Sequence, residues 1–363
     1  MEAMKIGILT FHRTNNYGAC LQAVATRFIL EKMGHEAFYV DYWPAYHAAK
    51  YDILSYNKLR HKHSIGGMVS CVLHACRNLK QKKERTHAFD AFRSQYILPY
   101  CKPVTDEFDV ILYGSDQIWR KHSTIKDYNP TYFGRNTIAS KLHIAFAASM
   151  GVLPQNEKDR QEVMELVSHL DRIAVREDNL QQFLSELGYK DVRKVLDPTL
   201  LLTKDDWNKK IAIPDYNGHP YVLTYHVAEL SFDMDEVEKF AAEKGCDVKI
   251  LYGVVGDKPQ PGGYSAADPI TFLTLFKHAS YTFVSSFHGL AFSIIFEKEF
   301  LVSLRANSNR AETVLRLLGL SDRMLKPHTE IPRLNLIDYD TVRGILSDKR
   351  NKDLQLLSSW INF

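Results

Sequence analysis

A histidine interrupts the apolar stretch SSFHGLAFSIIF, Ser285–Phe296, directly after the β-rich run Tyr281–Val284. The pattern reads strand, tight turn, buried helix. An imidazole at that place, His288, is either packed and satisfied or faces a ligand, where it can donate a proton or a hydrogen bond near neutral pH. Ser285 and Ser286 add hydroxyls. A helix running from Gly289 would begin with unpaired backbone N–H groups, so the turn is competent to hold an anion, and Gly289 lets the backbone come close. Arg176 ends a second apolar run, IAV, where a guanidinium clamps a carboxylate or phosphate bidentately or else pairs with Glu177 or Asp178. The segment GSDQIW places Asp116 just past a third run, as a general base or as a cap of the following turn, with Ser115 and Gln117 beside it. Trp119 offers a flat face of the kind that stacks on sugar rings, or belongs to the core. Asn15, Asn16 and Gly18 lie at the first β–α turn, in TNNYGA, which lacks the G-x-G-x-x-G spacing of a dinucleotide site.

The elements that must position these residues alternate along the chain. KIGILT is followed by a helix over about Ala19–Met33, stopped by Gly34, then by EAFYVDY, DVILYGS, HIAFAAS, IAVRE and VRKVLD with helical segments around IAVRE. DPTLLLTKDDWNKK reads as a connection. A second series holds YVLTYHV, DVKILYG, YTFVSS and EFLVSL with helices between them. Strands that read as buried and alternate with helices predict parallel sheets covered on both faces. Two series predict an α/β protein of two Rossmann-like domains facing across a cleft. The first spans 1–200 with a basic insertion over about 50–100, and the second spans 201–363 and ends in helices. In such sheets ligands bind beyond the C-terminal ends of the strands, where all the residues singled out above fall.

At 363 residues the chain exceeds the size of one ordinary core, and its 45% hydrophobic and 25% charged content is that of a globular protein. No apolar run approaches the roughly 20 residues that span a bilayer. MEAMKIGILT lacks the marks of a signal peptide, and five scattered cysteines suggest no disulfide framework, so a reducing cytoplasm is expected. Cys71, His74 and Cys76 have no second ligand pair at a spacing that closes a metal site, and no metal is expected. The net charge of +3 hides an asymmetry: Lys58–Arg85 carries eight basic residues against Glu84 alone, leaving the rest of the chain acidic. That segment reads as a solvated helical insertion, or as a patch resting on anionic lipid or a phosphate-bearing acceptor. Nucleic acid is not expected as a partner, because no recognised module accompanies the charge.

NNYGACLQA, YGSDQIW, AASMG, AVRED, VLDPTLLL and SSFHGLAFSIIFEKEF, in this order, resemble the polysaccharide pyruvyl transferase family from Lys5 to about Arg323. The resemblance implies a fold similar to GT-B glycosyltransferases, with the acceptor on the first domain and the donor on the second. It implies transfer of pyruvate from phosphoenolpyruvate, as co-substrate and without a further cofactor, onto a pair of sugar hydroxyls as a cyclic ketal on a bacterial surface polysaccharide. By that resemblance His288, Asp116 and Arg176 are catalytic: His288 as the acid or the group that protonates the leaving phosphate, Asp116 as the base on the acceptor side. Ser285, Ser286, Gly289, Arg310 and Arg176 would bind the donor; Asn15, Asn16, Gly18, Ser115, Gln117 and Trp119 the acceptor, which family members often meet on a polyprenyl carrier at the inner leaflet. Ser286 stands where characterised members carry arginine, and Arg310 is placed to supply the lost charge. Two other readings are a nucleotide-sugar glycosyltransferase, since fold does not fix function, and a non-catalytic glycan-assembly protein of the same family.

Overall fold

The computed structural model describes residues 2–47, 78–123, 125–227, 232–255, 263–304, 308–327, 329–333 and 335–362. Most of the basic segment, with Cys71, His74 and Cys76, lies outside the described residues.

Two all-parallel sheets form the frame. The first contains β1 (Lys5–Leu9), β2 (Glu36–Val40), β3 (Cys101–Lys102), β4 (Phe108–Tyr113), β5 (Ser140–Ala148), β6 (Arg172–Val175) and β7 (Val192–Lys194) in the order β3-β2-β1-β4-β5-β6-β7. The second contains β8 (Tyr221–His226), β9 (Asp247–Tyr252), β10 (Tyr281–Val284), β11 (Glu299–Ser303) and β12 (Met324–Leu325) in the order β12-β11-β10-β8-β9. In register, Ile6 faces Ala37 on one side and Val110 on the other, and Val284 faces Tyr225. Central strands such as Tyr221–His226 are buried at every position, which is why they read as continuous apolar runs rather than alternating ones.

The helix α1 (Tyr17–Lys32) shows how the halves are joined. Asn16 caps it by accepting from the Ala19 N–H at 3.1 Å, and Gly34, at φ +91°, turns the chain away after its end. Every residue from Tyr17 to Leu30 is buried. A helix apolar all round must be covered all round: one side lies on the first sheet, the other against α8 (Pro269–His278) and α9 (Phe287–Ile295) of the second half. The Tyr17 ring stacks on Phe272 at 4.9 Å, and its hydroxyl donates to Ala267 O at 3.1 Å. One hydrophobic core therefore runs from Ile6 to Phe300 through the junction.

Two expectations change here. DPTLLLTKDDWNKK is more than a connection: it forms α5 (Pro198–Leu201), capped by Asp197, and α6 (Lys204–Lys210), closed by a capping box of Thr203 and Asp206. Arg85, counted as part of a basic surface, is 4% exposed on α2 (Leu79–Tyr96). Its guanidinium donates to the Tyr17 hydroxyl at 3.1 Å, Ser265 O at 2.9 Å and Gly253 O at 2.7 Å. It is a strut between the halves. Among the described residues no helix is long and apolar enough to cross a membrane.

Candidate functional site

Strand order singles out two crevices. In the first sheet the chain runs outward from β1 through β2 and β3, then resumes on the other side at β4; in the second it leaves β8 for β9, then returns to β10. Ligands in open parallel sheets sit at these reversal points, beyond the carboxyl ends of the strands. The first point brings together Thr10 and Ser115, locked through Gln22: Thr10 Oγ1 donates to Ser115 O at 3.1 Å, Gln22 Nε2 donates to Thr10 Oγ1 at 2.9 Å, and the Ser115 N–H donates to Gln22 Oε1 at 3.0 Å. Asp116 follows at φ +68°, a left-handed conformation that a non-glycine residue adopts at a cost, and its Oδ1 accepts from the Gln117 N–H at 2.8 Å. The second point brings together His226 and Ser285.

Between the crevices lies a buried charge cluster whose centre is Asp197, at the turn after β7. Its Oδ2 accepts from Arg176 Nη1 and from the Ser115 hydroxyl at 3.1 Å, while Oδ1 accepts from Thr199 N at 2.9 Å and Thr199 Oγ1 at 2.7 Å. His288 Nε2 stands 3.8 Å from the same Oδ2. Arg176 Nη2 is 4.0 Å from Asp116, and Arg310 Nε is 3.9 Å from Glu177 Oε1, which also accepts from the Ser149 hydroxyl. Both guanidiniums sit over the Phe287 ring, Arg176 at 5.5 Å and Arg310 at 5.3 Å. A pocket opens against the pair, bounded by Arg176, Asp197, Phe287 and Arg310, with Lys194 and Lys349 on its wall.

Five buried atoms of this cluster have no hydrogen-bond partner: Arg176 Nε and Nη2, Arg310 Nε, Glu177 Oε2 and His288 Nε2. Buried polar groups are ordinarily paired, so such a concentration marks a place built for something else. The charges follow the environment. Burial acts to raise the Asp197 carboxyl, but Arg176 and His288 outweigh it and hold it at about 2. Burial lowers His288 to about 4 despite Asp197, so the imidazole is neutral at pH 7. Burial and the like charge of Arg176 push Arg310 down, and burial pushes Glu177 up. Two cations held together with free N–H donors favour a multiply charged anion between them. Among the described residues no group of three or more His, Cys, Asp or Glu side chains is placed to hold a metal ion.

The family model for polysaccharide pyruvyl transferases matches residues 16–304, most of the chain and every residue of the cluster except Arg310. The chain belongs to the polysaccharide pyruvyl transferase family. No curated protein matches it. Solved structures of similar outline include the glycosyltransferase SnogD from Streptomyces nogalater (11% identity, covering 99% of this chain and 100% of that one, TM-score 0.43). Others are an S. aureus MnaA–UDP co-structure (11%, 98% and 91%, TM-score 0.44) and the UDP-N-acetylglucosamine 2-epimerase from Rickettsia bellii (12%, 98% and 97%, TM-score 0.43). The strand orders, rather than these likenesses, establish the two Rossmann-like halves.

Within this family member, His288, Arg176, Asp116, Ser115 and Arg310 converge on the cluster, although they come from four segments far apart in sequence. Gly18 joins them from α1: a Cβ on it would lie 2.0 Å from His288 Nδ1, so only glycine lets the imidazole sit there. His288 is not in a turn; it lies in the first turn of α9, 8% exposed. Other expected ligands are engaged in the fold. Ser286 is the N-cap of α9 and accepts from the Gly289 N–H at 2.9 Å, while the Ser285 hydroxyl accepts from Val227 N at 3.1 Å and donates to Tyr225 O at 3.2 Å. Gly289 serves packing, since a Cβ would meet Tyr225 at 2.8 Å and Val284 at 2.9 Å. Asn16 caps α1, Asn15 Oδ1 accepts from Arg93 at 2.9 Å, and Gln117 covers Gly151. Trp119 is core and presents no face to a sugar: it is fully buried, stacks on Phe133 at 5.0 Å and donates to Tyr132 O at 2.9 Å. Sequence reasoning passed over Asp197, Glu177, Phe287 and His226. Asp197 had a signal, an Asp-Pro step after a strand; Glu177 and Phe287 read as ordinary neighbours of chosen residues, and His226 as part of an apolar strand run.

Proposed function

We propose that this protein transfers pyruvate from phosphoenolpyruvate onto two hydroxyls of a sugar, closing a ketal during surface polysaccharide synthesis. The observation that carries this reading is the pair Arg176, buried, and Arg310, 14% exposed, held together over Phe287 with three buried N–H donors unpaired. A small trianion with a carboxylate and a phosphate answers both guanidiniums, and Arg310 stands in for the cation that Ser286 does not provide. Each charge-assisted hydrogen bond contributes about 1.5–3 kcal/mol.

Burial lowers His288 to about 4, which suits a base rather than an acid at the start of the reaction. It starts as the acceptor of a proton from the attacking sugar hydroxyl, with Asp197 stabilising the imidazolium that forms, and then returns that proton to the departing phosphate. Asp116 orients the sugar hydroxyl from the first half. Phosphate leaves with cleavage of its bond to C2, and the second hydroxyl closes the ketal at the same carbon. The acceptor reaches the cleft from a polyprenyl-linked precursor, and the basic segment before Arg85 rests on the anionic leaflet that carries it.

Incubation with phosphoenolpyruvate and a panel of galactose-, mannose- and N-acetylmannosamine-containing acceptors tests this. Pyruvate gained by one acceptor, by mass, with phosphate released in equal amount is the expected result. Stabilisation by nucleotide sugars but not by phosphoenolpyruvate in a thermal-shift assay would transfer the protein to glycosyl transfer instead.

A further inference from the structure

Ketal formation needs a proton at C3 of the enol phosphate, and the residue expected to give it, His288, is a neutral imidazole at pH 7 whose remaining N–H is too weak an acid to protonate carbon. Glu177 meets the requirement. It is 2% exposed, at the end of β6, and forms the N-cap position of α4 (Asp178–Glu186) without making a side-chain cap bond. One carboxyl oxygen, Oε1, is fixed by the Ser149 hydroxyl and faces Arg310 Nε at 3.9 Å. The other, Oε2, is buried with no partner at all. A carboxylate would place a bare charge on that oxygen, whereas a carboxylic acid places a donor O–H there. Burial holds the group above the usual carboxylate range even against Arg176 and Arg310. Its neighbours on both sides, Arg176 in sequence and Arg310 in space, are the two cations of the donor site.

We propose that Glu177 delivers its Oε2 proton to the C3 methylene of the bound enol phosphate. This rests on the donor reading above. The C2–C3 π electrons take the proton, C3 becomes a methyl group, and C2 becomes an oxocarbenium-like centre that the first sugar hydroxyl attacks. The proton of that hydroxyl leaves through His288 to the phosphate; the proton of the second hydroxyl restores Glu177. Phosphoenolpyruvate and a diol thus give a ketal and hydrogen phosphate, with nothing oxidised or reduced. Glu177 is anionic from the protonation of C3 until the ketal closes, and its charge stabilises C2 whenever that carbon is oxocarbenium-like within this interval.

The test is run in D2O with phosphoenolpyruvate and the acceptor that scores highest in the panel, following deuterium at C3 of recovered phosphoenolpyruvate and transfer to the sugar. Glu177→Gln should bind phosphoenolpyruvate within about threefold of wild type by calorimetry. It should transfer at least about 100-fold more slowly, the lower range for loss of a placed acid, and return phosphoenolpyruvate without deuterium. His288→Ala, by contrast, should lose transfer yet still exchange deuterium at C3. Glu177→Asp keeps an acid and should keep measurable exchange, which covers the case in which the Gln variant does not fold. Exchange or transfer by Glu177→Gln within a few-fold of wild type overturns the proposal, as does exchange lost in His288→Ala but kept in Glu177→Gln. If wild type itself neither binds phosphoenolpyruvate nor modifies any acceptor, the donor reading has failed instead.

Discussion

His288 Nε2 and Asp197 Oδ2 lie 3.8 Å apart across the junction of the two halves, and the carboxylate that faces the imidazole is the one that holds Arg176. A single carboxylate therefore positions both Arg176 and His288, the groups proposed for donor binding and proton transfer. Asp197→Asn keeps the shape but leaves the Arg176 guanidinium as an uncompensated buried charge. Breaking a buried pair in this way typically costs about 3–5 kcal/mol. Urea unfolding should show a loss of that order together with loss of transfer; a variant as stable as wild type would mean that Asp116 alone can balance Arg176.

Gly18→Ala sets two effects against each other. Alanine in a helix is worth up to about 1 kcal/mol over glycine. Here its Cβ would stand 2.0–2.6 Å from three atoms of the His288 ring, and both partners are held on packed helices. Overpacking costs about 1–3 kcal/mol, so the clash wins. The variant should melt lower and transfer little, while Gly344→Ala, with nothing within 4 Å of its Cβ, should do neither.

Stability should fall as pH drops from about 6.5 to 4. Burial lowers both His288 and His226 to about 4, and both nitrogens of His226 lack partners. Each histidine is below its unfolded value, so between the two values the unfolded chain binds a proton that the folded chain refuses. The slope is at most about 1.4 kcal/mol per pH unit per histidine. Asp197 works at lower pH: its stabilisation is complete above about 3.9 and is lost as pH approaches 2. Denaturant melts at pH 7.5, 6 and 5 check the upper window, and His226→Gln should flatten the slope there.

Arg176→Ala and Arg310→Ala should each weaken phosphoenolpyruvate by about 1.5–3 kcal/mol in calorimetry. Arg310 is the sharper test of compensation for Ser286. Ser286→Arg adds the cation that the family resemblance leads one to expect there yet removes the cap of α9, so it should lower stability by about 0.5–2 kcal/mol whatever it does to affinity. Unchanged donor affinity in Arg310→Ala would separate the binding site from the Phe287 pair.

The described end of the basic segment holds surface lysines and one internal arginine, and the proposed membrane contact can be told apart from the structural role of the latter. Lys80 and Lys83 are exposed and Lys82 is half-buried, whereas Arg85 is internal. Changing the three lysines to Glu should leave the melting temperature and activity on a soluble acceptor unchanged and reduce co-sedimentation with anionic vesicles, most at low salt. Arg85→Ala should unfold the protein at much lower denaturant, because it strands carbonyls of Ser265 and Gly253. Equal sedimentation of wild type with anionic and neutral vesicles would remove the membrane contact.

Local sequence determined the strands and helices, because apolar runs such as Tyr281–Val284 and caps such as Asn16 and Asp268 act within a few residues of themselves. It also marked the strand ends where His288, Arg176, Asp116 and Ser115 stand, since ligand positions in parallel sheets follow from strand direction. Tertiary structure decided which of those residues share a site. Trp119 and Ser285 have the residue types of a sugar or anion site, but packing against Phe133 and bonding to Tyr225 used them up. In sequence Glu177 looks like an ordinary acid, and Asp197 like no more than a helix cap before Pro198. Only the fold, by burying them beside Arg176, Arg310 and His288, moves one carboxyl up and the other down, since desolvation and the field of neighbouring charges are properties of three-dimensional distance, which the order of residues does not contain.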